Sequence, residues 1–284
     1  MTYYQVNPHP ALQPFVESIG IQESDELSSG TTTVLPTTCM DMLFHYRDQF
    51  IQHHEAGDST EPTSYLCGQL TRPLTVSAAG RTGIVVVSFY PWALPAFTRV
   101  NPSAFTDLSV PLAEIFCRSL IEEVQDRIFH SQDANERIRV VERFLLKVLQ
   151  TSSVNCFEVC AVNRINAAMG SIRIGQLARS LDISPRQLNR RFLQVVGLSP
   201  KKFSAINRFQ KALLFKHSGW STGDVLAETG YYDQAHFIHD FQRYAQSSPE
   251  QIFSADADTP LMKQFNPVNR AGNVTHFYNT LYLQ

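Results

Sequence analysis

The chain contains two related stretches, IGQLARSLDISPRQLNRRF at residues 174–192 and GDVLAETGYYDQAHFIHDF at residues 223–241. Aligned at a constant offset of 49 residues, they carry apolar residues at the same places. The matching pairs are Leu177 with Leu226, Ala178 with Ala227, Leu188 with Phe237, and Phe192 with Phe241. A spacing that recurs over a whole segment indicates one structural unit used twice. We therefore interpret residues 171–253 as two copies of one small unit.

The first copy has the sequence features of a helix-turn-helix. Its first helix carries an apolar stripe at helical spacing, formed by Ile174, Leu177, Ala178 and Leu181. A tight turn follows at residues 182–183. Ser184 and Pro185 are typical of an N-cap and a first helical position, and Gly197 is typical of a helix end. This order predicts a second helix over residues 185–196, with Leu188, Phe192 and Val195 facing inward.

The opposite side of this second helix carries side chains that read DNA bases. Arginine pairs with guanine, and asparagine or glutamine with adenine, in the major groove. The predicted DNA-binding residues of this helix are Arg186, Gln187, Asn189, Arg190 and Gln194, and Arg191 is counted on the same side. A third helix, from Pro200 to about His217, offers Lys201, Lys202 and Arg208 to phosphates. A basic helix alone is more often a solvated surface, but the N-cap, the apolar stripe and the repeat favour DNA contact.

The positive charge is concentrated in the first copy. The whole chain has a net charge of −2, which by itself argues against a nucleic-acid-binding protein. Residues 170–218, however, hold ten basic residues and one acidic residue, whereas residues 219–253 hold one and five. Residues 1–112 hold four basic and ten acidic residues. The charge distribution therefore favours a DNA-binding surface on the first copy.

The second copy keeps the framework and changes the exposed face. Its first helix is expected to start near Ser221 and end at Gly230, and Asp233 takes the place of the N-cap serine. Its predicted DNA-binding residues are Gln234, Ala235 and His239, and Asp240 stands in place of Arg191 on the same side. We expect this copy to supply geometry, weak groove contact or an acidic surface for another protein.

This arrangement resembles the C-terminal module of the AraC/XylS family of bacterial transcription regulators. The residues that carry the resemblance are Leu177–Ala178, Ser184, Leu188, Arg191–Phe192, Gly197–Pro200, Arg208, Ala212, Ala227, Gly230, Asp233, Phe237, Phe241 and Pro249. The resemblance implies two recognition helices in successive major grooves of one DNA face. The chain departs from the family pattern at His239, where arginine is usual, near Asp240 and Phe253, where basic residues are usual, and at Gln246, where glycine is usual.

The N-terminal half is predicted to be rich in strands. Plausible strands, separated by turn residues, are Thr31–Leu35, Asp41–Tyr46, Leu74–Ser77 and Thr82–Tyr90. The segments LPTTCMDMLFHY (35–46) and GQLTRPLTV (68–76) resemble a branch of the family with a sensor-like domain of unassigned ligand. The predicted fold is multidomain α+β: a small N-terminal β-barrel or sandwich (cupin-like) with helices, then an all-α double helix-turn-helix.

Five segments are expected along the chain. They are a sensor-like domain (1–112), amphipathic helices (113–150), a linker with a lead-in helix (151–170), the double helix-turn-helix (171–253) and a tail (254–284). Two helices, Leu112–Phe129 and Asn135–Leu149, either mediate dimerisation or cover the sheet. The lead-in helix is expected over Phe157–Met169. The tail aromatics Phe265, Phe277, Tyr278 and Tyr282 either dock on the body or help a dimer form.

For the other cysteine, histidine, acidic and aromatic residues of note, we favour structural roles over functional ones. Cys156 and Cys160 share a helix face and are expected to be buried structural thiols rather than a metal or redox site. Cys39, Asp41, His45 and the pair at 53–54 match no known ligand spacing. The aromatic residues Phe89, Tyr90, Trp92, Phe97 and Phe105 are expected in the core, with an effector pocket as the alternative. No catalytic residue, metal or cofactor is assigned.

The leading hypothesis is a sequence-specific DNA-binding transcription regulator that responds to a small molecule in its N-terminal domain. Expected partners are operator DNA, an effector, RNA polymerase and a second copy of the chain. No signal peptide or membrane-spanning run is visible, so a cytoplasmic, nucleoid-associated location is expected. The alternative is a small-molecule sensor whose second helix-turn-helix binds protein. An enzyme is disfavoured because no nucleophile or acid–base pair is placed.

Overall fold

Ten strands precede ten α-helices in the computed structural model, which describes residues 2–25, 30–151 and 156–253. Two short 3₁₀ helices, Leu94–Ala96 and Pro102–Phe105, lie between the ninth and tenth strands. The strands form an N-terminal β-rich domain, and the last seven helices form a C-terminal domain. This arrangement confirms the predicted multidomain α+β class.

The N-terminal domain contains two antiparallel sheets. The strands are β1 (Thr2–Val6), β2 (Val16–Ser24), β3 (Thr31–Val34), β4 (Asp41–His45), β5 (Phe50–His53), β6 (Ser59–Thr60), β7 (Ser64–Cys67), β8 (Leu74–Ala78), β9 (Thr82–Phe89) and β10 (Ser109–Pro111). One sheet has the order β1-β2-β9-β4-β7-β10 and the other β3-β8-β5-β6. The sandwich alternative is therefore correct and the barrel alternative is wrong, because the described strands stay in two separate sheets.

The two central strands of the larger sheet are buried on both faces. Every residue of β4 and β9 is buried. On one face, Leu43 and Val86 pack with Tyr65 in a core between the sheets. On the other face, Phe44 and Val87 join a core that includes the helices that follow. The four strands predicted from sequence correspond to β3, β4, β8 and β9.

Three helices cover the outer face of the larger sheet. They are α1 (Leu112–Ile115), α2 (Arg118–His130) and α3 (Ala134–Val148). The predicted continuous helix over Leu112–Phe129 is wrong, because Phe116 takes an extended conformation and divides α1 from α2. Ile121, Val141 and Leu145 are buried in the same core as the sheet. The helices therefore cover the sheet, and dimerisation through them stays a prediction.

The C-terminal domain is built from two three-helix units that share one core. Its helices are α4 (Cys156–Ala167), α5 (Ile174–Arg179), α6 (Pro185–Val196), α7 (Pro200–His217), α8 (Thr222–Thr229), α9 (Gln234–Ala245) and α10 (Pro249–Phe253). The repeat is longer than the two quoted stretches, because each unit includes a lead-in helix, α4 or α7. Equivalent positions share their roles: Gly170 and Gly219 are both left-handed, Ser184 and Asp233 are both N-caps, Gly197 and Gln246 are both left-handed C-caps, and Pro200 and Pro249 both begin a helix.

A short segment of the N-terminal domain contacts the C-terminal core. Leu35, at the end of β3, is buried among the apolar residues of the C-terminal domain. The Gln210 side-chain amide on α7 donates a hydrogen bond to the Pro36 carbonyl at 2.8 Å. The C-terminal end of α6 packs against the 3₁₀ helix that starts at Pro102. The first helix-turn-helix is thus held directly by the N-terminal domain.

The short linker is predicted at residues 151–153, and residues 152 and 153 lie outside the described residues. The whole tail, with its four aromatic residues, lies outside them as well. Among the helices that are described, none combines the length and the apolar character needed to cross a membrane.

The repeat offers a matched test of the packing between the two units. Gly170 and Gly219 occupy equivalent left-handed positions, so alanine at either is expected to cost about 1–2 kcal/mol. A Cβ at Gly170 would also collide with the backbone oxygen of Ser204, whereas a Cβ at Gly219 would meet nothing within 4 Å. We expect Gly170→Ala to lose about 1–3 kcal/mol more in urea denaturation than Gly219→Ala. Equal losses would contradict this packing.

Candidate nucleic-acid interface

The first recognition helix, α6, is fixed at both ends by local chemistry. The Ser184 hydroxyl accepts a hydrogen bond from the Gln187 backbone N–H at 3.2 Å. The Gln187 side chain in turn accepts one from the Ser184 backbone N–H at 3.0 Å, which completes a capping box. At the other end, Gly197 is left-handed, with φ of 91°. The predicted bounds of this helix are confirmed.

The two faces of α6 differ sharply in exposure. Leu188, Phe192 and Val196 are fully buried, and Val195 is only half-buried, so Val196 rather than Val195 completes the inward face. The five predicted DNA-binding residues of this helix are all exposed: Arg186, Gln187, Asn189, Arg190 and Gln194. The structure therefore brings the base-reading residue types together on the solvent side of a rigidly packed helix.

Arg191 does not belong to this exposed group. Its guanidinium lies 3.6 Å from the centroid of the Phe157 ring on α4. Its Nε donates to the carboxylate of Glu158 on the same helix at 3.1 Å. The assignment of Arg191 to the groove side is wrong, because this side chain turns back toward the lead-in helix.

The second recognition helix, α9, is built in the same way with different residues. The Asp233 carboxylate accepts a hydrogen bond from the His236 backbone N–H at 2.8 Å and caps the helix. Phe237, Phe241 and Tyr244 are buried. The three predicted DNA-binding residues, Gln234, Ala235 and His239, are exposed. Gln246 takes the left-handed conformation of the C-cap in place of glycine, with φ of 54°.

Asp240 on α9 faces the protein interior. Its side chain is 6% exposed and accepts a hydrogen bond from Arg208 Nη2 at 3.4 Å. Arg208 also lies 4.8 Å from the centroid of the Tyr231 ring. Burial raises the pKa of Tyr231, and the Asp240 carboxylate raises it further. The assignment of Asp240 to the groove side is therefore wrong. The phosphate contact of Arg208 stays a prediction, and we expect that contact to be weak because the Arg208 side chain is largely buried.

The two lysines that begin α7 are not equivalent. Lys201 is exposed, whereas Lys202 is half-buried. Burial lowers the pKa of Lys202, and the nearby Arg243 guanidinium lowers it further, against the opposite effect of Asp107 from the N-terminal domain. Lys201 is thus the better placed of the two for a phosphate contact.

The outer surface of residues 219–253, which contain α8, α9 and α10, is acidic. Four of its five acidic residues are exposed: Asp224, Glu228, Asp233 and Glu250. Tyr232 is 92% exposed beside them. Arg243 is the one basic residue within 219–253. The charge contrast between the two copies therefore persists at the molecular surface.

Two histidines of the N-terminal domain, His45 and His53, each pair with a different carboxylate. Nε2 of His45 lies 3.0 Å from the buried carboxylate of Glu61, and Nδ1 of His53 lies 2.9 Å from the exposed carboxylate of Asp58. In the described part of the chain, His, Cys, Asp and Glu side chains nowhere gather in threes that could hold a metal ion. Cys39 is buried, but Cys156 and Cys160 are exposed, so the expectation that the latter two are buried is wrong.

The candidate pocket aromatics pack as core. Phe89 and Phe97 are buried, with ring centroids 5.2 Å apart. Tyr90 stacks on Trp92 at 4.9 Å, and Trp92 packs against the C-terminal core. Phe105 is buried in the 3₁₀ helix that faces α6. Trp92 thus connects this aromatic group to the C-terminal domain, and an effector pocket among these residues stays a prediction.

Sequence reasoning missed a polar row between the two sheets. Strand register places Asp41 beside Ser88 on β9 and beside Cys67 on β7, and Cys67 beside Ser109 on β10. The Ser88 hydroxyl donates to Asp41 at 2.7 Å. Burial raises the pKa of Asp41 to about 7, with a smaller contribution from Glu17, while the Ser88 hydrogen bond opposes the rise. Alternation in β4 alone could not reveal partners from three other strands.

The fold and the paired recognition helices define a helix-turn-helix protein, and comparison with known proteins specifies its type. Residues 177–255 match a helix-turn-helix domain family, and residues 4–111 match a domain of unknown function (DUF6597). Residues 177–255 are an AraC-type helix-turn-helix domain that follows a DUF6597 domain, which confirms the resemblance drawn from the sequence.

Two relatives are named as transcriptional regulators. An uncharacterized HTH-type transcriptional regulator of Haemophilus influenzae is 32% identical over 113 residues, which are 39% of this chain and 37% of the relative. The HTH-type transcriptional regulator MtrA of Neisseria gonorrhoeae is 38% identical over 79 residues, which are 28% of this chain and 26% of the relative. The matches thus span about a third and a quarter of these relatives.

Solved structures of ToxT from Vibrio cholerae are loosely similar to the chain. One at 1.65 Å resolution is 9% identical, with 89% of this chain and 98% of that chain covered and a TM-score of 0.44. A form bound to an unsaturated fatty acid is 10% identical, with 83% and 94% covered and a TM-score of 0.44. A likeness this loose carries no further conclusion about this chain.

Asp41 gives the N-terminal domain a testable pH dependence. Its folded pKa of about 7 lies above the ordinary value of 3.8, so the fold favours the protonated form. This stabilisation is complete below the unfolded pKa and is lost as the pH rises toward the folded pKa. Asp41→Asn mimics the neutral carboxyl. We expect it to flatten the dependence between about pH 4 and 7 and to raise the free energy of unfolding above pH 7 by up to about 4 kcal/mol.

Urea denaturation across this pH range measures the effect of Asp41→Asn. The exposed Glu122→Gln is the matched control, because it also removes one carboxylate and should keep the wild-type pH dependence. An Asp41→Asn variant with an unchanged slope of stability against pH would contradict the assignment.

Proposed function

We propose that the chain is a sequence-specific DNA-binding transcription regulator that reads DNA mainly through α6. The observation that carries this proposal is the exposed group Arg186, Asn189 and Arg190 opposite a fully buried apolar face. Side chains of these types form the specific contacts of recognition helices in the major groove. The names of the matched relatives agree with this class of function.

The remaining DNA-binding residues have different weights in this proposal. Gln187 and Gln194 border the base-reading group, although the side-chain oxygen of Gln187 is engaged in the capping box. Lys201 contacts phosphate, with smaller contributions from Lys202 and Arg208 because both are partly or largely buried. In the second unit, Gln234, Ala235 and His239 supply weak groove contact. Affinity then depends on salt mainly through residues 170–218.

The N-terminal domain has a regulatory role in this proposal. It contacts the first helix-turn-helix at Leu35, Pro36 and the 3₁₀ helix at Pro102, so a change in its core is transmitted to α6 and α7. We propose that a small-molecule effector causes that change and that the domain binds rather than catalyses. A homodimer through the exposed sides of α2 and α3, and contact with RNA polymerase, complete the proposal, with the chain acting on the nucleoid in the cytoplasm.

The acidic surface of residues 219–253 favours one additional role. Its exposed carboxylates and Tyr232 form a surface unsuited to phosphate but suited to a basic protein partner. In this proposal residues 219–253 supply that surface while residues 170–218 hold DNA. It therefore extends the regulator function rather than replacing it.

The proposed asymmetry predicts unequal losses of DNA affinity. Arg190→Ala removes a base-reading guanidinium and should weaken binding to a selected site by about 1–3 kcal/mol. His239→Ala removes an imidazole, which is not among the side chains that pair bidentately with bases, and should cost clearly less. Titration by fluorescence anisotropy at one fixed salt concentration measures both, with Glu55→Gln, an exposed carboxylate of the N-terminal domain, as the control. Equal losses for the two variants would refute the asymmetry.

The contact between the domains predicts a loss of thermal cooperativity. Leu35 is buried in the C-terminal core, and its neighbour Val34 is buried between the two N-terminal sheets. We expect Leu35→Ala to cost about 2–5 kcal/mol and to split one calorimetric transition into two, because it removes the apolar contact between the domains. Val34→Ala should destabilise the N-terminal domain without splitting the transition. Identical thermograms would contradict the coupling.

A further inference from the structure

Each recognition helix is tied to its own lead-in helix by one ion pair, and the two pairs have opposite polarity. On α6, Arg191 is the cation and its partner is Glu158 of α4. On α9, Asp240 is the anion and its partner is Arg208 of α7. Arg191 and Asp240 are equivalent in the repeat, at the offset of 49 residues. The same position of each recognition helix therefore carries a charge that points inward, with the sign reversed.

The first pair is held tightly from the α4 side. The Glu158 side chain is 2% exposed, and its Oε1 accepts from Arg191 Nε at 3.1 Å. Its Oε2 is buried and has no hydrogen-bond partner among the described residues. The Arg191 guanidinium also lies over the face of the Phe157 ring. Because a buried carboxylate needs a charged partner, Glu158 holds the orientation of Arg191 strongly.

The second pair has its own supporting contacts. Arg208 is 15% exposed and lies between Asp240 and the Tyr231 ring. One guanidinium nitrogen of Arg208 is also 3.3 Å from Nε2 of His236. The cation is here on the lead-in helix. An exchange of recognition helices would place Asp240 beside Glu158 and Arg191 beside Arg208, which is repulsive in both units.

The first pair lies next to the base-reading side chains. Arg191 directly follows Arg190 and lies two residues after Asn189 on the same helix. The apolar residues Leu188, Phe192 and Val196 set how closely α6 packs on the core. A directional ion pair at the edge of that apolar face opposes rotation of the helix about its axis. Base contacts tolerate only about 10–20° of misorientation, so this rotation matters for reading.

We propose that Glu158 and Arg208 are positioning residues: each sets the rotation of its recognition helix through an ion pair that accepts only its own partner. The inference rests on the proposed DNA-binding function. Glu158, the residue tested, contacts no DNA, whereas Arg208 has the positioning role in addition to its minor phosphate contact. Glu158 also lies in the first turn of the helix that follows residues 152–155, so it connects the chain arriving from the N-terminal domain to α6.

The test compares specific and non-specific DNA binding by the full-length Glu158→Gln variant. The probes are a duplex selected by the wild-type chain and a scrambled duplex of the same length, each titrated over a series of salt concentrations. We expect about a five- to tenfold loss on the selected duplex, within the range of one base contact, and no change on the scrambled duplex. The salt dependence should be unchanged because Glu158 neutralises no phosphate. Lys201→Ala, in contrast, should reduce the salt slope by about 1.

A reversed pair separates positioning from simple loss of stability. Glu158→Arg and Arg191→Glu should each lower the preference for the selected duplex, and the double variant should recover most of it. Glu55→Gln, which removes an exposed carboxylate of the N-terminal domain, should bind like the wild type. If the double variant does not fold by circular dichroism, Glu158→Gln and its salt series decide the question alone.

Three results would overturn the inference. Glu158→Gln could bind the selected duplex like the wild type, or it could lose affinity equally on both duplexes, or the folded double variant could recover nothing. A wild-type chain that prefers no sequence in the selection would instead overturn the proposed function, and that outcome is visible before any variant is made.

Discussion

Burial of α7 along its apolar side is the constraint on which the rest of the DNA-binding domain depends. Phe203 packs edge-on against Phe192 of α6, and Phe209 packs against Phe241 and Tyr244 of α9. Leu35 from the N-terminal domain reaches the same core. One helix therefore sets the position of both recognition helices and of the β-rich domain, because any movement of one group must disturb a core packed at crystal-like density.

Much of the C-terminal domain could be predicted because its signals are local. Ser184, Gly197 and Asp233 mark helix ends through hydrogen bonds and dihedral preferences that involve only near neighbours, and the structure agrees with them. The directions of Arg191 and Asp240 could not be predicted, because both lie at the border between the buried and exposed faces. A partner on another helix, Glu158 or Arg208, decides which way each border side chain turns.

The N-terminal domain was less predictable because its strands bury polar residues. β2 is paired on both sides, yet Ser18 and Gln22 are buried in it and hide the apolar pattern. Asp41 and Ser88 likewise bury a polar pair at the ends of two strands. The core assignment of the aromatics near Phe97 could be made from composition alone, whereas the contact of Leu35 with a distant domain has no local signal. The features that could be predicted have local sequence signals. The features that could not be predicted depend on residues that are distant in the sequence.

The two copies share one framework but differ in surface charge. The surface around α6 is basic and carries the base-reading side chains, whereas the surface around α9 is acidic. The most direct test is selection of a random duplex library by the full-length chain, followed by sequencing. We expect two half-sites about one helical turn apart, roughly 10 base pairs, with strong base preference in one and weak preference in the other. Two half-sites of equal strength, or no enriched motif, would contradict this expectation.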